Sequence, residues 1–176
     1  MNTKISWQYL AGYIDGEGSL LMGIFHDKRK DYVSEIDHYG FLPSMCIQSY
    51  DHETLKLINE FLKEEGFKRI SFDIRKKRDS QTDYCSRVAI NGYKNLKNFI
   101  ETILPYSIVK RDQYNKFLEI YEILESRPLN RFNNKAWTKP YWIRMMKKVD
   151  ELNSYKKGLR GRKWYDFFLE KWDISI

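Results

Sequence analysis

Residues 7–14, Trp-Gln-Tyr-Leu-Ala-Gly-Tyr-Ile, restrict this chain more than any other stretch of it. Ser6 is a suitable N-cap, so a helix is expected over Trp7–Asp15, with Gly16 and Gly18 ending it. Trp7, Tyr9, Leu10, Ala11, Tyr13 and Ile14 leave that helix apolar on nearly every side, whereas a surface helix keeps one polar flank. It therefore needs two burial partners. One is the domain's own sheet, and the other can be a second protein chain. The small residues Ala11 and Gly12, next to Leu10, would let a second backbone come close.

The same helix delivers two carboxylates, Asp15 and Glu17, to its C-terminal end. Unpaired carbonyls and the negative end of the helix dipole make that a poor place for more negative charge. A bound divalent cation reverses the problem. The Glu17 carboxylate and a backbone carbonyl such as that of Gly16 are candidate ligands, and oxygen-only ligation suits Mg²⁺. Two copies packed through this helix would bring two Glu17 side chains together, where they could share cations. Taken by itself, an acid-Gly-acid-Gly segment is also what an ordinary helix cap and turn look like.

Downstream, periodicity gives a strand over Ser19–Phe25, a charged loop over His26–Tyr32, and a second strand within Phe41–Ser49. Residues 53–65 form an amphipathic helix with Leu55, Ile58, Phe61 and Leu62 on one face, Asp51 as N-cap and Gly66 as stop. Arg69–Lys77 alternates: Ile70, Phe72 and Ile74 point one way, and Arg69, Ser71, Asp73, Arg75 and Lys77 the other. Tyr84–Ile90 is its hairpin partner, ended by Asn91-Gly92. A helix over 94–104 is broken by Pro105, and a longer one covers about 112–125. The order is αββαββαα. Residues 1–126 read as a core and 127–176 as an appended helical, basic extension packed on it, one domain in all, with helices at Tyr141–Leu152 and Trp164–Trp172.

Composition narrows the function classes. Hydrophobic residues at 42% and charged residues at 31% describe a globular chain, not a disordered one. No apolar run reaches the roughly 20 residues of a membrane span, and the N-terminus lacks the order of a signal peptide. Two cysteines, Cys46 and Cys85, make neither a disulfide framework nor a metal-ligand spacing, so a reducing interior, cytoplasmic or organellar, is expected. The net charge of +7 is unevenly placed: residues 127–176 hold 13 Lys/Arg against 5 Asp/Glu, and the rest 18 against 19. A basic end suits a polyanion, and Lys156-Lys157-Gly158-Leu159-Arg160-Gly161-Arg162-Lys163 is either a phosphate-contacting extension or a solubilising loop.

The nine residues Leu10-Ala11-Gly12-Tyr13-Ile14-Asp15-Gly16-Glu17-Gly18 are far more specific than their acidic end alone. The string resembles the signature helix of the LAGLIDADG homing endonucleases, with Tyr13 at a hydrophobic slot, Gly16 at a small one and Glu17 at an acidic one. The element order agrees with the family's αββαββα core, and the resemblance covers about residues 5–125. It implies an α+β fold with a saddle-shaped antiparallel sheet and helices on one face. The sequence shows no second motif, and in this family one motif implies a homodimer.

By that resemblance Glu17 is the metal-binding catalytic acid. Asp15 is expected to support the turn through backbone hydrogen bonds, with direct metal contact as the alternative. Mg²⁺ is the implied cofactor, with Mn²⁺ able to replace it. Gln48 matches a polar slot at the end of the second strand. Four positions on, where a basic residue commonly orders water, stands His52, whose role stays open between that task and an ordinary place in a helix. Lys110, shortly after Pro105, would stabilise phosphate charge or polarise the attacking water, and Arg111 would contact phosphate. On the sheet, Arg69, Arg75 and Lys77 are candidates for DNA contact, extended by Lys28, Arg29 and Lys30 in the loop.

The resemblance implies staggered cuts with short 3′ overhangs in a long, (pseudo)palindromic double-stranded site, and an intron-encoded reading frame. Two rival readings are an intron-RNA-binding maturase and a DNA binder of the same fold without cleavage. Retention of Glu17 and Lys110 favours catalysis.

Overall fold

The structure, a computed structural model, describes residues 5–27, 36, 38–76, 84–128, 137–154 and 163–175. Lys28, Arg29, Lys30 and Lys77, and the basic stretch 156–162, lie outside the described residues. The fold is α+β. Helix α1 (Trp7–Glu17) leads into β1 (Gly18–His26) and β2 (Tyr39–Ser49); α2 (His52–Glu64), β3 (Ile70–Lys76), β4 (Tyr84–Asn91), α3 (Tyr93–Ile103) and a 3-10 turn (Leu104–Tyr106) follow. The chain continues through α4 (Arg111–Glu125), α5 (Lys139–Asn153) and α6 (Trp164–Lys171). The four strands form one antiparallel sheet in the order β1-β2-β4-β3, which makes β2 and β4 the inner pair.

Local signals explain most boundaries. The Ser6 side chain accepts from the Tyr9 N–H at 3.2 Å and starts α1. Asp51 does the same for α2 through Thr54, at 3.0 Å. Gly66 stops α2 in the left-handed region, at φ +83°, a conformation that costs a glycine little. α1 runs two residues past Asp15 because the Gly18 N–H still bonds the Ile14 carbonyl.

Register fixes the sheet's two faces. Met45 pairs with Ile90, Ile47 with Val88, and Val88 in turn with Phe72; Met45, Ile47, Val88 and Ile90 are buried toward the helices. Since side chains alternate along a strand, the opposite face carries Ser44, Cys46 and Gln48 on β2, Arg87, Ala89 and Asn91 on β4, and Ser71, Asp73 and Arg75 on β3. The alternation foreseen for residues 69–77 starts one residue late. Arg69 has φ +51° and precedes the strand, with its carbonyl accepting from the Asn91 N–H at 3.2 Å.

The chain divides into two compact units. One comprises residues 1–21 and 42–114, the other 22–41 and 115–176. Residues 127–176 thus share a unit with parts of the 1–126 segment. In the first unit, α2 packs on β3 and β4, α3 packs on β4, and α1 packs on α3 and the 3-10 turn. Trp7 anchors α1 there, edge-on to Phe61 at 5.1 Å and to Phe67 at 5.8 Å between ring centroids.

The second unit is built around Trp142, fully buried, with Phe41, Trp137 and Phe168 against its ring at 5.1–6.0 Å. The Asp150 carboxylate on α5 caps α6, accepting from the Trp164 N–H at 3.1 Å and the Tyr165 N–H at 2.8 Å. Burial pushes that carboxyl above its ordinary value, outweighing these two bonds. Among the described residues, no helix is long and apolar enough to cross a membrane.

Candidate active site

The site is organised by the end of α1. Asp15, half-buried, turns its carboxylate to the segment between the 3-10 turn and α4. Oδ1 accepts from the Ser107 hydroxyl at 2.7 Å and the Lys110 N–H at 3.2 Å; Oδ2 accepts from the N–H groups of Ile108 at 2.8 Å and Val109 at 3.0 Å. Burial alone would raise this carboxyl, but those bonds outweigh it and hold the group below its ordinary value. Four donors fill the four lone-pair positions of a carboxylate. Asp15 is thus placed as the support of a turn, and its oxygens are already committed to the loop.

The loop returns a bond. The Lys110 Nζ donates to the Asp15 backbone carbonyl at 2.8 Å, at the helix end where carbonyls lack partners. Lys110 is 9% exposed. Burial pushes its ammonium below the ordinary lysine value, and the charge of Asp15 partly offsets this.

Glu17, the last residue of α1, is exposed, and Gly16 before it faces open space. Glu17 lies close enough to add to the rise of the Tyr13 phenol, which burial pushes up most, with the Ser49 side chain opposing and Asp51 assisting. Among the described residues no group of three His, Cys, Asp or Glu converges as a closed metal site. What remains is one free carboxylate at a carbonyl-rich helix tip. That suits a hard cation such as Mg²⁺, which keeps waters and takes one or two carboxylates beside phosphate oxygens.

The helix surface differs from expectation. Leu10 and Ala11 are fully buried within this chain, so their side chains are spent on its own core. The open face carries Tyr9, 47% exposed, then Gly12, Tyr13 and Gly16, at helical spacing. A Cβ added at Gly12 or Gly16 would meet nothing within 4 Å. Of the three proposed contact residues, only Gly12 lies on that face. Beside it, the loop held by Asp15 exposes Ile108 at 85% and Val109 at 72%.

Gln48 is exposed at the end of β2, opposite Arg87 of β4. His52, the first residue of α2, turns the other way: its Nδ1 lies 2.6 Å from the hydroxyl of Ser86, which is fully buried on the helix-facing side of β4. The structure therefore gives His52 a place in anchoring α2 on β4. Arg75 is exposed on the polar face and pairs with Asp73. Arg69 packs over the Gly92 turn, where an added Cβ would stand 3.2 Å from its Cδ and Nη1. Arg111 is exposed at the first position of α4. Sequence reasoning missed two site residues. Ser107 was hidden because its bond to Asp15 spans 92 positions, and Arg87 because only the register puts it between Gln48 and Asp73.

No protein-family profile matches the chain, and no curated protein does. Solved structures do. The homing endonuclease I-CvuI, crystallised with a DNA target and Mg²⁺, superposes with a TM-score of 0.66 at 20% identity, over 97% of this chain and 96% of its own. An archaeal intron-encoded homing endonuclease, I-Vdi141I, in complex with DNA, gives 0.65 at 22% identity, over 96% and 97%. The LAGLIDADG homing endonuclease I-LtrWI, bound to target DNA, gives 0.61 at 14% identity. The fold is that of the LAGLIDADG homing endonucleases. The chain spans nearly the whole length of the first two proteins and 47% of the third. In this LAGLIDADG fold the motif is α1 and its turn, and the clamp between Asp15 and Lys110 ties the motif to the start of α4.

Proposed function

We propose that the protein is a site-specific DNA endonuclease of the intron-homing kind, which hydrolyses both strands of a long, (pseudo)palindromic duplex as a homodimer with divalent metal ions. The observation that carries this reading is the exposed Glu17 at the tip of α1, one residue beyond Gly16, with the Lys110 ammonium anchored 2.8 Å from the Asp15 carbonyl behind it. A negative and a positive group so placed can hold a cation and meet a phosphate. The DNA complexes of I-CvuI and I-Vdi141I support the substrate class.

One chain offers one free acid at this tip, and a duplex has two strands to cut. The open Tyr9, Gly12, Tyr13 and Gly16 face allows a second α1 to approach at backbone distance, and a twofold axis there would pair the two Glu17 tips. Ile108 and Val109 extend that apolar surface.

Glu17, with a backbone carbonyl such as that of Gly16, would hold Mg²⁺, or Mn²⁺ in its place. When bound, such a cation supplies a Lewis acid for phosphate charge and lowers the pKa of water. Lys110 adds a positive charge for the charge that grows on the phosphate. Gln48 offers a neutral amide to order water. Asp15 keeps Lys110 in place and does not itself ligate. Arg75 and Arg111, with Lys28, Arg29, Lys30 and Lys77, provide attraction to DNA.

The test is selection of cleaved duplexes from a randomised library in the presence of Mg²⁺, beside a Glu17→Gln control. Double-strand products that vanish in the control, while duplex binding persists, are the expected result. Retention of cleavage by Glu17→Gln would refute it. Binding to intron RNA in preference to every duplex would point to the maturase instead.

A further inference from the structure

Arg87 sits on β4, an inner strand, with Gln48 opposite it on β2 and Asp73 opposite it on β3. Cross-strand neighbours of opposite charge normally pair. Here the Asp73 carboxylate is taken by Arg75, two residues along its own strand. Arg87 is left with a poor substitute. Its Nη2 donates to the Cys46 thiol at 3.0 Å, and its Nε is buried with no hydrogen-bond partner. Sulfur is a weak acceptor, and that same Sγ lies 3.2 Å from the Ser44 hydroxyl. A guanidinium with one orphaned donor and one weakly held donor gains from any strong outside acceptor that draws it out of the sheet.

We infer that Arg87 is a specificity-determining residue that swings from Cys46 to donate a pair of hydrogen bonds to guanine O6 and N7 in the major groove. This rests on the DNA-endonuclease reading above. Two features favour a base edge over a phosphate. An inner strand faces the middle of whatever lies on the sheet, where a groove presents its floor; the edge strands face its walls. Asp73 stands opposite Arg87 on β3, and although its Oδ2 pairs with Arg75, its Oδ1 can accept from cytosine N4, a donor that no phosphate offers. The Arg87 and Asp73 pair thus matches the two halves of a G·C pair. The thiol keeps the arginine folded back at little cost to its release, as a carboxylate partner would not.

The experiment uses the full chain carrying Glu17→Gln, which separates binding from cleavage, and a randomised duplex library of roughly two helical turns. Bound duplexes should show a guanine preference at one position in each half-site. Adding Arg87→Gln should remove that preference and leave the others, with affinity for the selected site falling by about tenfold to a hundredfold. Arg87→Lys keeps the charge and the stem, so it should fold and still lose the preference. Cys46→Ala should retain it. Unchanged base preference in both Arg87 variants would overturn the inference and leave the nuclease reading standing. So would an affinity loss equal on all sequences, which marks a phosphate contact. Absence of duplex binding by the Glu17→Gln parent would overturn both.

Discussion

Replacing Asp15 with asparagine removes one oxygen and inserts an NH₂ group into a nest of donors. Of the four hydrogen bonds, the carboxylate splits two to each oxygen. Asparagine can keep one such pair; at the other, its own N–H groups face two N–H or O–H donors. Each lost bond to a charged acceptor is worth about 1.5–3 kcal/mol when buried, and less here because Ile108 and Val109 are exposed. A total of about 2–3 kcal/mol follows, which lowers the melting temperature by roughly 5–10 °C in a chain of this size.

The loss should depend on pH. The Asp15 carboxyl is held below its ordinary value of 3.8. A depressed acid contributes fully above its unfolded value, and that contribution fades as the pH falls through the lower folded value. Wild-type and Asp15→Asn melting curves should therefore differ most near neutrality and converge in acid below about pH 4. Circular dichroism melts from pH 3 to 7 measure this. Divalent-cation affinity of the folded protein, by calorimetry, should change little. A variant that melts within about 1 °C of wild type but loses its cation would refute the clamp and restore Asp15 as a ligand.

Two further outcomes follow from the same geometry. Lys110→Met should lower the single-turnover cleavage rate by about a hundredfold to a thousandfold with DNA affinity nearly intact; and because burial lowers the Lys110 pKa, the ammonium is lost as the pH rises, so the wild-type rate should decline below the ordinary lysine value of 10.5. An added Cβ at Gly12 meets nothing within 4 Å in the chain, so the Gly12→Ala monomer should melt no lower than wild type, since glycine is poorer than alanine in a helix interior by about 1 kcal/mol. The dimer dissociation constant, followed by sedimentation, should rise more than about tenfold, and a dimer as tight as wild type would exclude this face as the contact.

Much of the fold was legible because its signals are local. Ser6, Asp51 and Gly66 mark helix ends through groups within three residues, and the alternation of Ile70, Phe72 and Ile74 marks a half-buried strand. The α1 surface was only half legible. An apolar helix shows that two partners exist, not which side chains meet which. Leu10 and Ala11 went to the chain's own core because Trp7 pins the helix onto Phe61 and Phe67, and this rotation turns Gly12 and Gly16 outward.

What stayed hidden was the sorting of polar residues between the two faces of the sheet. Gln48 and His52 are four positions apart, yet a strand ends and a helix begins between them. Strand parity sends Gln48 outward, and the first turn of α2 swings His52 inward to Ser86. Arg87, one residue past Ser86, takes the outward face opposite Gln48. A single step along β4 thus separates a helix anchor from a candidate base reader. The guanidinium-bearing residue opposite Gln48 comes from a neighbouring strand, which register shows and spacing along the chain does not.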